Sequence, residues 1–160
     1  SAPNLKIVAN YAVGYNNIDV PVLLKRNIPV LHTPDVLTDA TADAAFALLI
    51  AVARRVIEAH AYVVSGRFTA WKPDLLLSQG LSGKIVGIVG MGRIGQAFAR
   101  RCSGFGLKVL YTSRTRLPGK KEIALEATYV PLEDLLRTAD FVSLHVPLTE
   151  ETRYLINKRR

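Results

Sequence analysis

The chain has 160 residues, 49% of them hydrophobic, a composition that supplies the core of one compact domain and excludes a disordered polymer. Its formal charge of +8 is concentrated: no acid falls between Asp74 and Glu122, a stretch that holds Lys84, Arg93, Arg100, Arg101, Lys108, Arg114, Arg116, Lys120 and Lys121. Such a local field suits one compact anionic ligand at least as well as nucleic acid.

Residues 5–12 predict a buried strand that ends at a turn around Gly14. Residues 18–26 predict a short helix with Asn17 as its N-cap, and residues 28–31 a second strand closed by Thr33 and Pro34. That order is a βαβ unit, in which two parallel strands need a helical crossover. A helix from about 39 to 64 follows, capped by Thr38 or Asp39 and apolar almost all round near 46–52, as expected of a helix buried between two bodies. Residues 66–83, with Pro73, Ser78, Gly80 and Ser82, read as an irregular connection carrying Trp71, a packing or interface residue.

Residues 84–90 predict a short buried strand, and the helix behind it sets Ile94, Phe98 and Cys102 on one face toward the sheet. Strands at 107–111, 127–130 and 141–146 follow, with a short helix from Pro131 through Arg137 before the last of them. A final helical piece runs to Arg160. The single Cys102 excludes an internal disulfide and fits a reducing cytoplasm. The longest wholly apolar run, 44–53, is half of the roughly 20 residues a membrane span needs, and no basic-then-apolar leader opens the chain.

The turn Gly90-Met91-Gly92-Arg93-Ile94-Gly95 sits between a strand and an amphipathic helix, with a second strand at the right distance. This is the setting of a Rossmann dinucleotide site. Gly90 allows the tight turn, Gly92 lets a pyrophosphate approach the backbone, and Gly95 lets helix and strand pack closely. The helix start offers N–H groups and a positive dipole end. The alternative is a glycine-rich turn without a ligand. A P-loop is excluded, because Lys84 is followed by Ile85 rather than a hydroxyl residue. About 20 residues on, where NAD sites place a ribose-binding carboxylate, stand Ser113, Arg114, Thr115 and Arg116, and the next acid is Glu122. With no carboxylate to repel it, a 2′-phosphate can be met by Arg114 and the Ser113 and Thr115 hydroxyls. NADP(H) is favoured over NAD(H), which stays possible; a solvated basic strand end is the plainer reading.

Four segments carry a resemblance that covers nearly the whole chain: residues 9–19 from Ala9 to Asp19, 41–49 from Thr41 to Leu49, the glycine turn 90–95, and 144–149 from Leu144 to Thr149. In these the chain resembles the D-isomer-specific 2-hydroxyacid dehydrogenases, most closely the glyoxylate/hydroxypyruvate reductases. The resemblance implies an α/β fold: an incomplete Rossmann-type doubly wound parallel sheet, preceded by the end of a flavodoxin-like substrate domain. Residues 1–37 would close the substrate domain, and 38–160 would hold the interdomain helix and the first part of the dinucleotide-binding domain. It implies that Val13 and Gly14 offer backbone N–H groups to the substrate carboxylate, although Gly14 also simply suits a turn. Val146 and Pro147 would line the cofactor side. Thr41 would face the cofactor or merely begin its helix.

His145 belongs to the strand motif and is not expected to be the catalyst, and neither are His32 and His60. The arginine, glutamate and acid–base histidine of such enzymes are expected beyond Arg160, so the chain reads as the central piece of an enzyme. The function implied is reduction of a small 2-oxo acid, glyoxylate or hydroxypyruvate, to the 2-hydroxy acid with NAD(P)H by a cytoplasmic enzyme, a homodimer at full length, without nucleic acid or membrane partners. A dinucleotide-sensing interaction protein on the same fold is the alternative, since function lives in sites rather than folds.

Overall fold

The computed structural model describes residues 2–159 and divides into two compact units, residues 2–38 with 146–159 and Asp39–His145.

In the first unit, β1 (Val8–Asn10) lies parallel to β2 (Val30–His32), with Val8 opposite Val30. The crossover is α1 (Val20–Lys25). Its N-cap is Asp19 rather than the expected Asn17, because the Asp19 carboxylate accepts from the Val22 N–H at 3.2 Å and Pro21 fits the first turn. After the last strand, the expected helical piece is replaced by turns. Thr149 and Thr152 bond each other through hydroxyl and backbone groups, and the Thr152 hydroxyl also donates to the Pro147 carbonyl at 2.6 Å. Arg160, where that piece was to end, lies outside the described residues.

Two helices stand where one was expected, α2 (Thr38–Ala53), which belongs to the second unit from Asp39 on, and α3 (Val56–Val64). The break has a visible cause. The Ala53 carbonyl accepts from the Gln79 N–H at 3.1 Å, and Arg55 turns left-handed at φ 51°. Its guanidinium then reaches the Leu77 carbonyl and Glu58. Thr38 already lies within α2, so neither it nor Asp39 precedes the helix as a cap. Within the unit, α2 buries Ala42, Phe46 and Ala53, while Leu48 and Val52 stay 67% and 74% exposed, so one apolar face is open. Trp71 is exposed as well.

Four parallel strands follow: β3 (Ile85–Val89), β4 (Lys108–Thr112), β5 (Ala127–Tyr129) and β6 (Phe141–Leu144), in the order β5-β4-β3-β6. The first three are linked by α4 (Arg93–Gly104) and α5 (Gly119–Ala124), and α6 (Leu132–Thr138) carries the chain back to the other side of β3. The strand order therefore reverses beside β3, where open parallel sheets bind ligands at strand C-termini. Each of these four strands matches its expectation within two residues, whereas β1 is three residues shorter at its start than the expected 5–12. Helix α5 was not foreseen.

β3 is rich in branched residues and buried on both faces, as a central parallel strand must be. Ala97, Phe98, Ala99 and Cys102 of α4 pack with Val86 and Ile88 of β3 and Val109 and Tyr111 of β4. At Gly87 a Cβ would strike the Leu135 side chain, so this glycine lets α6 lie directly on the sheet. Asp140 ties the sheet's start together by accepting from the Ile85 N–H at 2.8 Å and the Lys84 ammonium at 3.0 Å. Those bonds, the backbone one foremost, hold its carboxyl below the usual range.

Candidate functional site

The chain leaves β3 at Val89 and enters α4 at Arg93 through a turn of three residues. Gly90 takes φ 99°, a conformation that side chains resist, and its N–H donates to the Thr112 carbonyl at 2.8 Å, which joins the turn to the end of β4. Gly95 is required by packing, because a Cβ there would run into the Gly90 carbonyl oxygen. Gly92 answers to neither need. Its φ is −74°, and a Cβ built on it meets nothing within 4 Å. The bare backbone at Gly92 therefore faces open space at the start of a helix.

As the N-cap of α4, Gly92 supplies no side-chain acceptor, and no acid stands in the first helical turn. The N–H groups there keep their partial positive charge. Met91 is buried, and its carbonyl accepts from the Gln96 side chain at 3.1 Å, which fixes the turn from within. Arg93 is exposed and Ile94 half-buried. A dinucleotide's pyrophosphate fits this cradle, because its closest wall is backbone alone.

At the end of β4, Ser113 is half-buried and its hydroxyl donates to the Thr115 carbonyl at 2.7 Å, while Arg114 and Thr115 are exposed. Among the described residues no carboxylate pairs with Arg114. Arg116 differs. Its guanidinium donates to Glu122 at 2.9 and 3.0 Å, and the Tyr111 hydroxyl donates to the same carboxylate at 2.7 Å. The Arg116 and Tyr111 bonds hold the Glu122 carboxyl below the usual range. Likewise Arg101 is spent on Asp39 and Asp43, and Lys84 on Asp140, so the basic stretch is partly an internal ion-pair network.

Val13 and Gly14 lie in the first unit, where the Asn10 amide donates to the Gly14 carbonyl at 2.7 Å and the His32 ring to the Val13 carbonyl at 3.1 Å. Tyr15 packs edge-on against His32. Both carbonyls are thus engaged, while neither N–H has a backbone partner among the described residues. Asn10 and His32 were missed as supports of this turn. Their signal was a polar side chain on each of two strands pointing back at one loop.

Thr41 is exposed on α2 and lines an open cavity of about 570 Å³ with Ala45, Leu48, Ser143, Leu144 and His145, apart from the glycine turn. His145 bonds the Ser143 hydroxyl at 2.9 Å and packs on Phe98, and burial lowers its basicity. Its backbone N–H donates to the Val89 carbonyl at 2.7 Å, which ties the end of β6 to the end of β3. Val146 and Pro147 come next along the chain, in the first unit. Burial pushes the Cys102 thiol up to about 12, so it is an inert core residue.

Known proteins resemble this chain in sequence and in fold. Residues 46–160 match the family described as D-isomer specific 2-hydroxyacid dehydrogenase, NAD binding domain. A glyoxylate reductase of Thermococcus litoralis is 56% identical over 163 residues, covering 99% of this chain and 49% of its own length. A crystal structure of a Thermus thermophilus protein is 51% identical with a TM-score of 0.87, covering 94% of this chain and 46% of that one. A D-lactate dehydrogenase of Aquifex aeolicus, complexed with NAD and lactic acid, is 30% identical with a TM-score of 0.87, over 98% of this chain and 46% of that one. The chain spans about half the length of the relatives it matches. It belongs to the D-isomer specific 2-hydroxyacid dehydrogenase family, and residues 46–160 carry the family's NAD-binding domain.

Proposed function

We propose that the protein reduces a small 2-oxo acid, glyoxylate or hydroxypyruvate, with NADPH preferred over NADH. The observation that carries the reading is Gly92, a glycine that neither backbone strain nor packing demands, exposed at an uncapped helix start. A bound nicotinamide cofactor supplies the hydride for the 2-oxo carbon. The chain's own residues do the rest by holding and orienting. Gly90, Met91, Gly92, Arg93, Ile94 and Gly95 cradle the pyrophosphate. Arg114, with the Thr115 hydroxyl and the Ser113 hydroxyl once it turns from the Thr115 carbonyl, takes the 2′-phosphate, supported by the lack of a carboxylate partner for Arg114 among the described residues and by the engagement of Glu122 elsewhere.

Thr41, Val146 and Pro147 complete the cofactor contacts in this reading, and the Val13 and Gly14 N–H groups receive the substrate carboxylate. His145 is not the proton donor, since it is held by Ser143 and Phe98 and burial disfavours its charged form. The clamping arginine, the glutamate and the acid–base histidine are assigned to sequence following residue 160. A cytoplasmic homodimer completes the proposal, supported by exposed apolar residues such as Leu48, Val52, Ile57 and Val64. No helix among the described residues is long and apolar enough to cross a membrane.

The test is a steady-state assay of the full-length protein with glyoxylate and hydroxypyruvate against NADPH and NADH, alongside Arg114→Ala. The reading predicts turnover with a lower KM for NADPH. Arg114→Ala should raise that KM about tenfold or more while KM for NADH stays near its starting value, as expected for one charge-assisted contact to phosphate. No turnover with either acid would overturn the substrate reading, and equal KM values would overturn the cofactor preference.

A further inference from the structure

The first acid after β4 is not idle. Glu122, on α5, accepts from the Tyr111 hydroxyl at 2.7 Å and from two nitrogens of Arg116 at 2.9 and 3.0 Å. The same Tyr111 oxygen accepts from the Leu117 N–H at 2.9 Å. Tyr111 is fully buried, packs edge-on against Tyr129 at 5.5 Å, and the Arg116 guanidinium lies 5.6 Å from the Tyr129 ring centre. Residues 116 and 117 are thus pinned to the sheet at one end of the loop that leaves β4. At the other end, the Thr112 carbonyl is held by the Gly90 N–H. Between these two anchors stand Ser113, Arg114 and Thr115.

From this we infer that Tyr111, Glu122 and Arg116 form a clamp that positions the 113–115 turn for a 2′-phosphate, so that Glu122 governs cofactor choice without touching the ribose. The inference rests on the NADP(H) reading above. Chemically the clamp does two things. It engages the first carboxylate after β4, which would otherwise be free to repel a phosphate or accept from a ribose hydroxyl, and it gives the loop one shape. Arg114, exposed between the two anchors, is left as a guanidinium with no carboxylate partner among the described residues. Glu122, Tyr111 and Arg116 are therefore positioning residues that act through Arg114.

Fluorescence titration of NADPH and NADH into the full-length protein tests this, using Glu122→Ala, Tyr111→Phe, Arg114→Ala and the Glu122→Ala/Arg114→Ala pair. Tyr111→Phe keeps the ring in the core, so a folded clamp variant exists even if Glu122→Ala does not fold. Each clamp variant should raise the ratio of NADPH Kd to NADH Kd about fivefold or more, the effect of losing a charge-assisted contact. Adding Glu122→Ala to Arg114→Ala should change that ratio little, because residues acting through one group are not additive. If Arg114→Ala raises the ratio and neither clamp variant does, or if the effects add in full, the clamp is overturned while the NADP(H) reading stands. If Arg114→Ala leaves the ratio unchanged, both fall together.

Discussion

Gly90, Gly92 and Gly95 occupy one motif for three separable reasons, and substitution tells them apart. Gly95 faces the Gly90 carbonyl oxygen, so a methyl group there must push backbone rather than a flexible side chain. Gly95→Ala should destabilise the protein by about 1–3 kcal/mol, the usual cost of overpacking, read as a lower urea midpoint with or without cofactor. The spacing made the turn at Gly90 and the close packing at Gly95 legible in the sequence, because a turn between strand and helix leaves few alternatives. The fate of Glu122 was not legible. It could be recognised as the nearest acid, but its capture by Tyr111 and Arg116 depends on α5, a six-residue helix with no periodic signal strong enough to predict. The supporting roles of Asn10 and His32 were hidden in the same way, by contacts across separate elements.

Among the elements, the buried strands were the easiest to read, since runs such as Ile85–Val89 combine branching with short length. Helix α2 shows where periodicity misleads. Its alanines and leucines continue through Ala53 toward α3 with high propensity, yet a tertiary bond from Gln79 takes the Ala53 carbonyl and the helix breaks. Nothing local announces that bond. Packing of α6 on β3 depends on a pair chosen for each other, Gly87 without a side chain and Leu135 fully buried above it. Leu135→Ala should open a cavity and cost about 2–5 kcal/mol, measured by urea unfolding. A loss well under 1 kcal/mol would mean that α6 collapses onto Gly87 without penalty.

At the scale of the whole molecule, titration links these contacts to stability. Burial lowers the His145 pKa from 6.5, so its contribution is present above that value and is lost as pH falls toward and through the lower folded value, where the unfolded chain binds the proton first. Asp140 and Glu122 are lowered too, so their contributions hold at neutral pH and disappear only as pH falls through the carboxylate range. The urea midpoint should therefore fall in two steps on acidification, and His145→Gln should remove the first step alone; a single step near the carboxylates in the parent protein would contradict the burial of His145. Function turns on whether a nicotinamide dinucleotide lies on the backbone at Gly92. The direct measurement is calorimetric titration of NADPH into the full-length protein and its Gly92→Ala variant. The methyl group projects into open space, so stability should drop by no more than about 1 kcal/mol, the scale of an N-cap change. Affinity should fall about tenfold or more, because the pyrophosphate needs that space. Equal NADPH affinity in the two folded proteins would contradict a dinucleotide seated on Gly92.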